Sequence, residues 1–188
     1  MADKKKKGRR AYLSDYVLDV SGEYIYTGDY YIADTQGKDY KRICRGIFGL
    51  SVLVMAVLVG VGCLSTGTTS GAFYVTLPHV AAIILAAFCV YDSAVIYKAN
   101  GKLRTHDYET SVPRIQGSSI AGAVCAFAAT LGQSVYTIFI GSKATRGADI
   151  LFLAGCFIAG MLYCLMFTTK KQILWQKSTE KAQKSIDK

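Results

Sequence analysis

The run Gly46-Ile-Phe-Gly-Leu-Ser-Val-Leu-Val-Met-Ala-Val-Leu-Val-Gly-Val-Gly-Cys-Leu64 carries no charged side chain. At about 1.5 Å rise per residue, a helix of that length covers most of a hydrocarbon core about 30 Å thick. Three further runs of the same kind occupy residues 72–97, 115–140 and 150–169, and Asp92 is the only Asp, Glu, Lys or Arg inside any of them. The fold class follows: an all-α membrane protein, a four-transmembrane-helix bundle with a short cytoplasmic N-terminal segment.

Three parts are expected along the chain. Residues 1–42 form a basic, Tyr-rich cytoplasmic segment, residues 43–169 hold the bundle (spans about 43–64, 72–97, 118–140 and 150–169), and residues 170–188 form a basic cytoplasmic tail. With 188 residues and four spans, no second globular domain fits.

The formal net charge of +9 raises the question of nucleic acid. The basic residues flank the spans and do not build one face, which is the pattern of topology signals and of contact with anionic lipid headgroups. Lys and Arg number ten before the first span (Lys4 to Arg45), four in the middle loop (Lys98, Lys102, Arg104, Arg114) and six after the last span. The remaining two, Lys143 and Arg146, lie in the third loop. Both termini and the middle loop are therefore expected in the cytoplasm of a bacterial cell membrane.

More than thirty residues separate the cluster Lys4 to Arg10 from the first apolar run, so no cleaved signal is expected. Val61-Gly62-Cys63 ends like a lipid-attachment site, but Gly60 stands where such sites want a large aliphatic residue. The six cysteines (Cys44, Cys63, Cys89, Cys125, Cys156, Cys164) include no C-x-x-C. That excludes four-span disulfide-exchange enzymes, whose redox step needs a close pair. Small multidrug transporters share the span count but depend on a first-span glutamate, which has no counterpart here. No phosphate-binding glycine loop, H-E-x-x-H or G-x-S-x-G occurs, and with only two histidines no metal site and no cofactor are expected.

Outside lipid, residues 11–20 place Tyr12, Leu13, Tyr16, Val17 and Val20 at helical spacing, which predicts a short amphipathic helix. Residues 23–40 follow with Tyr24, Tyr26, Tyr30 and Tyr31, and with turn signals at Gly28-Asp29 and Gln36-Gly37. A small β-hairpin or extended element with a dense aromatic interaction surface is expected there. Two isolated strands are marginal in water, so this element needs a support. The middle loop, residues 98–117, leaves room for one or two helical turns, and residues 172–184 read as a surface helix with Trp175 at the interface.

Span three is the richest in small residues. Ser118, Gly122 and Ala126 line one stripe and Ala121, Cys125 and Ala129 the next, the condition for close helix approach in lipid.

Asp92 lies roughly 9 Å inside the cytoplasmic end of span two. An ionisable group at that depth costs on the order of 1 to 3 kcal/mol unless paired or wetted. Arg45, at similar depth on span one, is the foremost expected partner, with Arg114 or Lys98 as alternatives; a proton or cation role is the functional reading. His79 and Gln133 are expected at one level near the outer ends of spans two and three, hydrogen-bonded as structural glue or forming a ligand site, with Tyr136 and Thr137 one turn further out.

Taken together, the sequence points to a non-enzymatic accessory or interaction subunit of a membrane complex, with a membrane-protein partner or a second copy and no nucleic acid. The alternative is a small oligomeric transporter or channel subunit using Asp92 and His79 with Gln133.

Overall fold

The computed structural model describes residues 16–18, 22, 24–26, 28–35, 39–64, 66, 72–140 and 146–178. Its framework is four helices, α1 (Tyr40–Gly62), α2 (Phe73–Lys98), α3 (Thr105–Phe139) and α4 (Arg146–Lys170). Each is long and apolar enough to cross a membrane. The chain is thus mostly helical, and the four helices are compatible with a multi-pass membrane protein. α1 packs on α2 and α4, and α3 packs on the same two, so the helices form a four-membered ring.

Local chemistry sets the helix ends. The Asp39 carboxylate accepts from the Lys41 amide at 3.0 Å, satisfying one of the orphan donors that begin α1. The buried positions of α1 are Ile43, Cys44, Ile47, Ser51, Val54 and Leu58, a stripe of helical period. After α2 the chain turns sharply at Asn100 (φ 48°) and Gly101 (φ 89°). Gly adopts the left-handed region freely and Asn tolerates it, and this lets the Lys102 amide return to the Ala99 carbonyl at 3.0 Å.

α3 departs from the expectation of a span beginning at residue 118. It starts at Thr105 and runs 35 residues, about 52 Å, well beyond a hydrocarbon core. Pro113 lies inside it, although proline removes one helical hydrogen bond. The extra turns are held by burial of Ser111, Val112 and Ile115 against the rest of the bundle.

The segments beside the helix ends pair as strands. β1 (Tyr16–Leu18) and β2 (Tyr24–Tyr26) form an antiparallel pair with Tyr16 opposite Tyr26. β3 (Tyr30–Asp34) is the centre of a three-stranded antiparallel sheet, flanked by β4 (Lys102–Arg104) and β5 (Leu174–Ser178). Tyr31 is opposite both Leu103 and Lys177.

Three expectations change accordingly. Residues 16–18, read as amphipathic helix, are a strand, because Tyr16 and Val17 favour extended structure once Tyr24–Tyr26 offers an edge. Residues 11–15, 19 and 20 lie outside the described residues. Within residues 23–40 the chain is extended at β2 and β3, but among the described residues the two do not pair as a hairpin: they join different sheets, and the Gly28-Asp29 bend separates them. The turn signal at Gln36-Gly37 is outside the described residues. The tail helix expected from residue 172 is instead strand β5, since β3 supplies a pairing partner that outweighs local propensity, and residues 179–188 are not described.

Aromatic packing fixes this cap to the bundle. The Tyr31 ring stacks on Tyr108 of α3 with centroids 3.7 Å apart and planes 10° from parallel. Trp175 of β5 meets Tyr108 and Tyr40 edge-on, at 5.9 and 6.3 Å. The Tyr40 hydroxyl donates to the Ile96 carbonyl at 2.7 Å, and Leu103 and Ile173 are buried beneath the sheet.

Candidate functional site

Three places collect the polar and aromatic residues singled out in the sequence. The first is Asp92. It is fully buried on α2, and Arg114 of α3 holds both its oxygens: Nε donates to Oδ2 at 2.9 Å and Nη2 to Oδ1 at 2.6 Å. Such a side-on fork is among the stronger charge-assisted arrangements. The guanidinium also lies over Phe88 and Tyr91, 5.7 and 5.5 Å from their ring centroids, with the Arg114 side chain 36% exposed.

Arg45 is not the partner. It projects away from the stripe of Cys44, Ile47 and Ser51 that α1 turns inward, and it is exposed. α1 and α2 are joined near this level by a hydrogen bond between Ser51 and Ser93, 2.9 Å. Carrying a proton on Asp92 would mean breaking a two-point ion pair in a low-dielectric setting, so the arrangement favours a fixed structural pair over a carrier.

The second place is at the opposite end of the bundle. Gln133 of α3 donates from Nε2 to Oδ1 of Asp149 at 3.1 Å, and both residues are fully buried. Asp149 sits in the first turn of α4, where the helix dipole favours a carboxylate. His79 is buried nearby on α2, with Nδ1 3.6 Å from Cys156 Sγ and its ring 4.8 Å from Phe152. Gly62 makes room for it, because a Cβ there would lie 2.9 Å from His79 Nε2.

His79 and Gln133 are not hydrogen-bonded to each other, contrary to the sequence expectation: His79 Nε2 and Gln133 Oε1 are both buried without a hydrogen-bond partner. Thr137 bonds back to the Gln133 carbonyl of its own helix at 2.9 Å. Asp149 was not singled out in the sequence. Its signal was an acidic residue within the first turn of an apolar helix, one position before the run counted as span four.

The third place is the cap. Of the four tyrosines expected to form an aromatic surface, only Tyr24 stands out, 73% exposed. Tyr26 is buried, donates to the Asp29 carbonyl at 3.0 Å and accepts from the Thr105 amide at 3.3 Å. Tyr30 packs edge-on against Tyr26 at 5.1 Å, and Tyr31 lies under the sheet on Tyr108. Arg104 covers the Tyr16 and Tyr26 rings and donates to the Tyr16 hydroxyl at 3.0 Å. Lys177 pairs with Asp29 at 2.8 Å, and that hydrogen-bonded carboxylate raises the lysine pKa above its ordinary value. Most of these tyrosines therefore bind the cap together, and the outward side of the sheet carries Ile32, Asp34, Leu174 and Gln176.

On span three, Ser118, Gly122, Ala126 and Ala129 are buried, Cys125 is half-buried, and Ala121 is exposed. Among the described residues no cluster of three His, Cys, Asp or Glu side chains is close enough to hold a metal ion, and the six cysteines are free thiols. Comparison with protein-family models, with curated proteins and with solved structures finds no match.

Proposed function

We propose that this chain is a non-enzymatic, multi-pass subunit of a bacterial cell membrane complex, with the β-strand cap on the cytoplasmic side as its docking surface. The observation that carries the reading is the sheet β4-β3-β5. It draws one strand from each of three separate extramembrane segments and leaves a preformed outer face of mixed apolar and polar side chains, Ile32, Asp34, Leu174 and Gln176. A surface ordered before binding loses less entropy on association than a flexible loop does. The excess of Lys and Arg at this end supports its placement in the cytoplasm, next to anionic headgroups.

The test is a photo-crosslinking residue placed at Ile32 or Gln176 in cells, with Val124 on the lipid-facing side as control. The reading requires one discrete adduct from both cap positions and not from Val124. Absence of any adduct from the cap in native membranes refutes it.

The second reading, a small oligomeric transporter or channel subunit, draws on the buried polar group His79, Gln133 and Asp149 with two unpartnered atoms. It would use that group and not Asp92, whose oxygens are already engaged.

A further inference from the structure

Between α2 and α3, at the end of the bundle that carries the sheet, a cleft of about 510 Å³ opens on the outer surface. Ala87, Phe88 and Tyr91 line it from α2, and Asp107, Thr110 and Arg114 from α3. The α3 residues stand at i, i+3 and i+7, one stripe of the helix, so the cleft is graded along its length. Phe88 and Ala87 form an apolar end toward the bundle centre, and Asp107 lies at the end nearest the sheet.

Its charges are specific. Two nitrogens of Arg114 are spent on Asp92, while Nη1 makes no hydrogen bond among the described residues. Thr110, four residues earlier on α3, is exposed and lines the same cleft. Arg114 and Asp92 neutralise each other, which leaves Asp107 as the one further carboxylate in the lining. A headgroup bearing only negative charge meets a donor at Nη1 but is opposed by the Asp107 carboxylate. One bearing a phosphate and an ammonium group meets a partner for each: Nη1 and the Thr110 hydroxyl for the phosphate, Asp107 for the ammonium. Because a carboxylate accepts hydrogen bonds, a primary ammonium with N–H donors fits better than a quaternary one.

We propose that this cleft binds one aminophospholipid of the phosphatidylethanolamine class, headgroup across Thr110, Arg114 and Asp107 and acyl chains along Phe88. The proposal rests on the reading that the four helices span a bilayer, which puts the Asp92 and Arg114 level at the junction of headgroups and hydrocarbon.

The experiment uses the full chain, purified and delipidated in detergent, then supplied with phosphatidylethanolamine, phosphatidylglycerol or phosphatidylcholine. Bound lipid is counted by native mass spectrometry and stability followed by thermal unfolding. The wild type should retain a one-to-one phosphatidylethanolamine adduct with about tenfold preference over the other two. Thr110→Trp, at an exposed position, should fill the cleft and lose the adduct while its lipid-free melting temperature stays close to wild type. Asp107→Asn should keep a lipid adduct but lose the preference over phosphatidylglycerol; it decides the matter if Thr110→Trp fails to fold.

Equal retention of all three lipids by the wild type overturns the proposal, as does an unchanged preference in Asp107→Asn. A shift of the same size from water-soluble glycerophosphoethanolamine also overturns it, because the site would then serve a soluble ligand. Reconstitution of both variants into vesicles at wild-type yield keeps the membrane reading standing even if the lipid site fails.

Discussion

The Tyr163 ring lies over Gly122, so near that a Cβ on the glycine would stand 2.6 Å from Cε1 and 2.9 Å from Cε2. From there the phenol crosses the bundle interior and donates to the Ala82 carbonyl of α2 at 2.7 Å. α4 and α2 lie diagonally in the helix ring, so this one side chain ties helices that otherwise touch little, and it can do so only because position 122 has no side chain.

Gly122→Ala is therefore expected to destabilise by about 1 to 3 kcal/mol through overpacking, and Gly122→Leu by more. Tyr163→Phe should cost about 0.5 to 1.5 kcal/mol, the net worth of one hydrogen bond. Ile120→Leu, on the exposed side of α3, should be close to neutral. Unfolding in detergent orders the four variants; equal effects from Gly122→Ala and Ile120→Leu would show that the close approach is not tight.

The Asp92 and Arg114 pair should respond unequally to loss of either member. Arg114→Gln strands a fully buried carboxylate and should cost about 3 to 5 kcal/mol, whereas Asp92→Asn frees a partly exposed guanidinium that can reach toward the headgroups and should cost less. The double variant should recover part of the Arg114→Gln loss. Arg45→Gln should leave the Asp92→Asn penalty unchanged, and a measured coupling between positions 45 and 92 would reject the pairing described above.

At His79 the expectation runs the other way. An unsatisfied buried nitrogen costs about 1 to 3 kcal/mol, so His79→Leu, of similar volume, should be neutral or stabilising in detergent. Gln133→Leu, by contrast, removes a donor from the buried Asp149 and should destabilise. If His79→Leu leaves the fold intact yet abolishes a growth or transport phenotype that the wild type supports, the transporter reading gains over the docking one.

Topology can be read from the native thiols. Cys63 caps the C-terminal end of α1, at the end away from the sheet, and is exposed; Cys44, Cys89 and Cys156 are buried, and Cys164, also exposed, lies in the half of α4 that leads to the sheet. A membrane-impermeant maleimide applied to intact cells should label the wild type and not Cys63→Ser. Labelling of Cys63 only after lysis would reverse the proposed orientation.

What the sequence disclosed follows from where the information lies. A span is a local property, and the uncharged runs around Leu58, Ala86, Ala126 and Ala159 show it without reference to any other residue. Partner choice is not local. Arg45 and Arg114 are both within reach of Asp92 by depth, and only the rotation of α1, which turns Cys44 and Ile47 inward, takes Arg45 out of contention. The extended character of β2 and β3 was legible in their Tyr and Ile content, but β4 and β5 were missed for the same reason as the ion pair, since Asp34 meets Leu174 across most of the chain and no periodicity within residues 172–184 announces that pairing. Asp149 went unnoticed because it stands at the boundary, where a charge ordinarily marks the end of a span.

The parentage of the sheet has a temporal consequence. β3 leaves the ribosome before any of the four helices, but β4 is made only after α1 and α2, and β5 only after α4. One edge of the central strand waits for α1 and α2 and the other for all four helices, so the sheet is complete only once the last helix has been made. A chain stopped early, or one whose final helix failed to insert, would lack β5 beside Tyr31 and Asp34. On the docking reading proposed above, a partner that recognises the closed outer face would by the same contacts refuse an unfinished chain.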